Sequence, residues 1–260
     1  MIDILSPPGL LVLRSFVTSQ TLCAFDLDGT LAPIIDDPAQ VALPVAVRQA
    51  MQQLCSLVPV AIITGRGCED ARSRLGFAPR YLVGNHGLEG LPDHTVNLEE
   101  LRALIDRWNR ELQRLLPASI LPDLLVESKA GSLSLHYRHA ADPAAAQQTL
   151  LEAIQQLQPQ PRRVGGKCVE NLVPHGVPHK GDALLYLLEH SGCSNALFVG
   201  DDVTDEDVFR LADPRILSIG VGTERPTAAH HFVQDQASMA VLLEQLLPLV
   251  VPVVTGGEHG

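Results

Sequence analysis

The sequence predicts an α/β protein, with a Rossmann-like core built from two separate stretches and an α+β domain inserted between them. Three observations carry this. Short, nearly continuous apolar runs such as TLCAF at 21–25 and VPVAIIT at 58–64 alternate with helical stretches, as in a parallel sheet covered on both faces. The rhythm changes between 98 and 172, where helices and period-two strands take over. It returns after Pro174.

Taken in order, 21–25 reads as a buried strand followed by the turn-rich DLDGTLAPIIDDP. A helix is expected over 44–57, a strand over 58–64, a helix from Gly65 to about Leu75 and a strand over 80–83 ending in GNHG. The insert opens with a long amphipathic helix over 98–116 that holds the only tryptophan, Trp108. Strands follow at 126–127 and 132–139, where Leu133, Leu135 and Tyr137 alternate with Ser134, His136 and Arg138. A helix over 143–157 and a strand or hairpin arm over 162–172 complete it. The core resumes with helix 180–190, strand 196–199, helix 205–211, strand 216–221 and a last helix over 236–247. The expected division is 1–97 with 173–260 as the core and 98–172 as the insert.

Composition narrows the function. Of 260 residues, 46% are hydrophobic and 19% charged, an ordinary globular balance. The net charge of −11, without any basic run, argues against a nucleic-acid partner. The five cysteines form no CxxC pair, which suggests reduced thiols. The first residues lack the basic segment of a signal peptide, and the apolar run at 246–254 is broken by Pro248 and Pro252. A cytoplasmic monomer with no membrane partner is the expectation.

The chemistry lies in the aspartates. Asp26 and Asp28 follow a buried strand, where ligands bind in open α/β sheets, and Gly29 lets the chain turn beside them. GDDVTDED brings Asp201, Asp202 and Asp205 to a second strand end. Two acidic strand ends facing a small anion need a cation between them, and oxygen donors suit Mg²⁺. A carboxylate can attack phosphorus, and a second can exchange protons with the leaving oxygen and with water. Thr64 could hold a phosphate oxygen. Lys180 opens a helix, where the dipole does not favour a lysine, and it is one of only three lysines against sixteen arginines. Plainer roles stand beside these: Asp26 and Asp28 as turn formers, Asp205 as a helix N-cap with Glu206 and Asp207 in the first turn, Lys180 at the surface.

DLDGTLAPI, the Thr64 strand end, Lys180 and GDDVTDED resemble, in order and character, the four motifs of haloacid dehalogenase-like hydrolases. The resemblance implies Asp26 as nucleophile, Asp28 as acid/base, and Thr64 and Lys180 as phosphate ligands. It implies Mg²⁺ held by Asp26, the Asp28 carbonyl and Asp201, with Asp202 and Asp205 in support, and it makes the insert a C2-type cap on a haloacid dehalogenase-type core. AIITGR, YLVGNHGLE, VESKAGSLSLHYR, GKCVENLVP and HKG extend the likeness to trehalose-6-phosphate phosphatases over about 21–209. That likeness places Arg66 and Asn85 near the phosphate and Glu127 and Lys129 at the sugar; His136 and Arg138 alternate onto one strand face and could line the cleft, and Asn171 stands at the sugar-reading strand. A surface role for Glu127 and Lys129, and structural roles for His136, Arg138 and His86, remain alternatives. The family pattern carries a glutamate where Asn171 stands, with Glu170 adjacent, and a basic residue where Val173 stands. The implied function is Mg²⁺-dependent hydrolysis of trehalose 6-phosphate. A phosphatase for another sugar phosphate or a glycosylated phosphoglycerate, and a non-catalytic sensor, are the alternatives.

Overall fold

The computed structural model describes residues 1–35, 37, 40–94, 96–128, 131–166, 168–223 and 226–251. The chain forms two compact units: Met1–Thr95 with Pro178–Gly260, and Val96–Val177.

The first unit is built on a seven-stranded sheet, every pair parallel. Its strands are β1 (Ile2–Asp3), β2 (Thr21–Phe25), β3 (Val60–Ile63), β4 (Tyr81–Val83), β9 (Asn195–Gly200), β10 (Ile216–Val221) and β11 (His231–Val233), in the order β1-β11-β10-β9-β2-β3-β4. The central strands are apolar on both faces because both are covered. Cys23, Phe25, Val60, Ile62, Leu197 and Val199 join the core beneath helices α1 (Pro7–Phe16), α2 (Val45–Leu57), α3 (Cys68–Leu75) and α8 (Met239–Val250). Leu22, Ala24, Ala61, Ile63, Ala196 and Phe198 join the opposite core, beneath α6 (Lys180–Ser191) and the short α7 (Glu206–Phe209). Successive residues of one strand therefore feed two different cores.

This unit differs from the sequence reading in several elements: the strands β1 and β11 at one edge of the sheet were not expected, and two helices change. The N-terminal segment forms α1, started by Ser6, whose side chain accepts the Gly9 N–H; Pro7 and Pro8 suit a first helical turn, where no N–H partner is needed. The last helix runs through Pro248 to Val250. Among the described residues, no helix is long and apolar enough to cross a membrane, and all five cysteines are free.

The second unit sets α4 (Leu98–Leu115) and α5 (Pro143–Ile154) on one face of an antiparallel sheet. Its strands are β5 (Leu125–Ser128), β6 (Leu133–His136), β7 (Arg162–Gly166) and β8 (Val169–Val173), ordered β5-β6-β8-β7. β7 and β8 form a hairpin. Trp108 is fully buried among Leu112, Leu133, Leu135 and Leu150, and its indole N–H donates to the Pro159 carbonyl at 2.9 Å. Trp108→Ala should cost about 3–5 kcal/mol in this unit, read as an early unfolding phase in urea followed by circular dichroism; an unchanged midpoint would contradict the core assigned here.

Candidate active site

Three strand ends converge, the carboxyl ends of β2, β3 and β9. Asp26 follows β2, and its N–H donates to the Val199 carbonyl of β9 at 2.9 Å, so the two acidic strand ends are stitched together at the backbone. Gly29 and Gly200 allow the approach. A Cβ on Gly29, whose φ is +83°, would collide with the Asp201 carboxylate, and one on Gly200 would collide with Asp205. Thr30 is fully buried and donates its hydroxyl to Asp201 Oδ1 at 2.9 Å.

Lys180 is the hub. It is 1% exposed, so the surface reading does not hold. Its Nζ lies 2.7 Å from Asp205 Oδ1 and 3.0 Å from Asp26 Oδ1. The helix that carries it needs no help from the lysine, because His179 and Asp182 form a reciprocal cap. Asp205 does not act as the helix cap that its position suggests. It occupies the N-cap position of α7, yet its carboxylate takes the Lys180 ammonium and, at 2.8 Å, the Asp202 N–H. Asp202 is exposed and accepts the Val203 N–H at 2.6 Å.

One oxygen from each of Asp26, Asp201 and Asp205 falls within 4.8 Å of the others. Three buried or half-buried carboxylates meeting one ammonium are short of positive charge. Burial pushes Asp26 well above the ordinary carboxylate range; Lys180 pulls it back, and Asp205 and Asp201 push it up again. Burial and then Asp205 raise Asp201 to about 6. Burial works against the Lys180 ammonium, but Asp205 and Asp26 outweigh it and hold the lysine charged. A hard divalent cation fits this donor set, which is all oxygen and negatively charged. The carboxylates of Asp28 and Asp202 lie outside the three-carboxylate group.

The β3 end supplies the other side. Thr64 is 1% exposed and its Oγ1 accepts the Arg66 N–H at 3.2 Å, which leaves the hydroxyl proton available to an anion. The Arg66 guanidinium grips both oxygens of Asp28. Asn85 follows β4 in a 3₁₀ turn with φ of 49°; its N–H donates to the Arg66 carbonyl and its amide to Glu89. Glu89 also accepts the Cys68 N–H at 3.0 Å and so braces the turn. Sequence reasoning singled out neither Thr30 nor Glu89, nor the Asp70 that backs Arg66. Thr30 stood beside Asp28 in DLDGT, but its partner is 171 residues away in the chain.

The comparisons with known proteins bear on this arrangement. The family model described as trehalose-phosphatase matches residues 24–241. The chain belongs to the trehalose-phosphatase family. A trehalose-phosphate phosphatase of Mycobacterium tuberculosis is 30% identical over 244 residues, covering 88% of this chain and 62% of the relative. Trehalose-phosphate phosphatase B of Arabidopsis thaliana is 28% identical over 250 residues, covering 88% and 66%. The chain thus spans somewhat under two thirds of the mycobacterial relative's length. A solved Aspergillus fumigatus trehalose-6-phosphate phosphatase superposes with a TM-score of 0.69 at 24% identity, covering 95% of this chain and 99% of that one. The Synechocystis sucrose-phosphatase gives 0.55 at 21%, covering 86% and 95%. The fold is the haloacid dehalogenase-type core with an inserted α+β unit.

In this trehalose-phosphatase family member the second unit sorts its polar residues by sheet face. Leu133, Leu135 and Leu172 face the helices, and the register puts Glu170 with them, opposite Leu135. Glu170 is buried there, held by Gln147 at 2.9 Å and Arg163 at 3.1 Å. The other face carries Glu127, Ser134, His136 and Asn171. His136 Nε2 lies 3.4 Å from Glu127 Oε2. Asn171 accepts from Ser134 at 2.6 Å and donates to the Val164 carbonyl at 3.1 Å. The strand ends at His136, so Arg138 is exposed in the turn beyond it and the alternation does not carry it onto the sheet face. Lys129 lies outside the described residues.

Two outcomes follow from the carboxylate geometry. Gly29→Ala drives a Cβ into the Asp201 carboxylate and should weaken Mg²⁺ binding by about 10–100-fold, the scale seen when a metal ligand loses its orientation, measured by titration calorimetry; undiminished affinity would show that Asp201 is not where the cation sits. Because Asp26 and Asp201 are both raised, Asp201 to about 6, and each binds a cation only when ionised, Mg²⁺ affinity should be highest at alkaline pH and fall progressively as pH drops towards and through 6. A flat affinity from pH 8 to 5 would contradict this.

Proposed function

We propose that the chain hydrolyses trehalose 6-phosphate to trehalose and inorganic phosphate with Mg²⁺ as cofactor and an aspartyl-phosphate intermediate. The observation that carries the reading is the Asp26–Lys180–Asp205 ion-pair chain beside Asp201, at strand ends, in a chain that the trehalose-phosphatase model matches over 24–241. The name of the mycobacterial relative supports the substrate.

In this reading Asp26 attacks phosphorus. The bond from its carboxylate oxygen to phosphorus forms as the bond to the sugar oxygen breaks, and Asp28 gives that oxygen a proton. Water then attacks the acyl phosphate, Asp28 takes the water's proton, and Asp26 is released. Lys180 keeps the Asp26 carboxylate in place and offsets charge on the transferring group. Thr64 donates its hydroxyl to a phosphoryl oxygen, and Arg66 and Asn85 complete that side. Asp26, the Asp28 carbonyl, Asp201, Asp202 and Asp205 are assigned to the Mg²⁺, directly or in support. Bound there, Mg²⁺ supplies charge neutralisation for phosphoryl transfer. Glu127, Lys129, His136, Arg138 and Asn171 are assigned to the sugar, where charged groups make strong hydrogen bonds to hydroxyls.

A second reading keeps this chemistry and changes the sugar to a different sugar phosphate or a glycosylated phosphoglycerate. Asn171 favours it, because its neutral amide is already engaged by Ser134 and Val164.

Phosphate release should be measured from trehalose 6-phosphate, sucrose 6-phosphate, glucose 6-phosphate and glycosylated phosphoglycerates, with Mg²⁺ and with chelator. Preference for trehalose 6-phosphate that disappears with chelator is expected. Preference for another ester would support the second reading and sink the first. Asp26→Asn should lower turnover by on the order of 10⁴-fold or more while ligand binding survives; appreciable turnover in that variant would remove Asp26 from the mechanism.

A further inference from the structure

Asp28 and Arg66 come from the adjacent ends of β2 and β3, and they are more tightly joined than the acid/base role of Asp28 requires. Arg66 Nη2 donates to Asp28 Oδ1 and Nε to Oδ2, both at 2.6 Å. The third nitrogen, Nη1, donates to Asp70 Oδ2 at 2.8 Å. Asp70 in turn is gripped through Oδ1 by Arg74, one turn further along α3, at 2.5 and 3.0 Å. The result is an alternating chain Asp28–Arg66–Asp70–Arg74, each link at hydrogen-bond distance. The Arg66 side chain is 13% exposed and Asp28 33%, so the pair borders the crevice and is not sealed in the core.

Bidentate geometry matters here. A guanidinium fork matches the two oxygens of a carboxylate, and it matches two oxygens of a phosphoryl group equally well. An acid/base carboxylate must turn an oxygen to the leaving group, and the fork takes one lone pair of each Asp28 oxygen and fixes the plane of the carboxylate. The backbone N–H of Arg66 is tied to the Thr64 hydroxyl, so the fork is anchored beside a phosphate donor. Asp70 keeps Arg66 in place through a nitrogen that Asp28 does not use, so Arg66 can exchange one partner without losing the other.

We propose that Arg66 is a latch on Asp28: it holds both carboxylate oxygens until the phosphoryl group of the substrate competes for the fork and frees Asp28 for proton exchange. This rests on the phosphatase reading above. Arg66 is thereby a positioning residue as well as a phosphate ligand, and it couples occupancy of the site to release of the acid/base group.

Competition for one guanidinium has a signature that simple charge removal lacks. Inorganic phosphate binding would be measured calorimetrically at saturating Mg²⁺ for the unmodified chain, Asp28→Asn, Arg66→Gln and the double variant, with thermal melts to confirm folding. In the Arg66 protein, Asp28→Asn should tighten phosphate by about tenfold, the worth of a released charge-assisted hydrogen bond. In the Arg66→Gln background the same substitution should give much less. Arg66→Lys, which can hold only one carboxylate oxygen at a time, should fall between the two and serves if the glutamine variant does not fold. Equal tightening in both backgrounds means that only the charge of Asp28 matters, and it overturns the latch while leaving the phosphatase reading standing. An unmodified chain that neither binds phosphate nor releases it from any ester overturns both.

Discussion

Lys180 stands between Asp26 and Asp205 with almost no access to water, and the geometry of the site depends on that double ion pair. Burying an ammonium and several carboxylates costs several kcal/mol per ion unless each is paired. Here the cost is met by close pairing and by backbone donors: the Val203–Asp205 turn returns a carboxylate to the Asp202 N–H, and Thr30 supplies Asp201. Removing the ammonium would leave buried carboxylates facing one another. The ordinary parallel sheet beneath provides strand ends stiff enough to hold like charges at this spacing.

The same constraint explains the glycines beside the motif aspartates. Gly29 and Gly200 stand where a side chain would occupy the space of Asp201 and Asp205. Carboxylates can crowd together only where the backbone opposite presents no Cβ. The arrangement of DLDGT and GDDVTD is in this sense a packing requirement as much as a chemical one.

Much of this was legible in the residues. Buried strands are legible because each contributes to two cores, which makes runs such as LCAF and VAII apolar throughout. The acidic strand ends follow from those runs. Pairing across long sequence separations was not legible: nothing local shows that Asp205 serves Lys180 instead of capping its helix, or that Arg66 closes on Asp28. The Glu170–Asn171 question turned on register, since a shift of one residue exchanges sheet faces. Pairing of β8 with β6 puts Glu170 against the helices and Asn171 on the opposite face, beside Ser134. Helix α1 was not expected from the sequence; its two prolines fall in the first turn, where they are compatible with a helix.

The central claim is that Asp26, positioned by Lys180, carries the phosphoryl group in covalent form. Its most direct test is to quench the protein during turnover of trehalose 6-phosphate with hydroxylamine, which converts an acyl phosphate to a hydroxamate, and to map the product by mass spectrometry. The account predicts modification at Asp26, dependent on both substrate and Mg²⁺. Turnover with Asp26 unmodified, or with the label on another carboxylate, would contradict it.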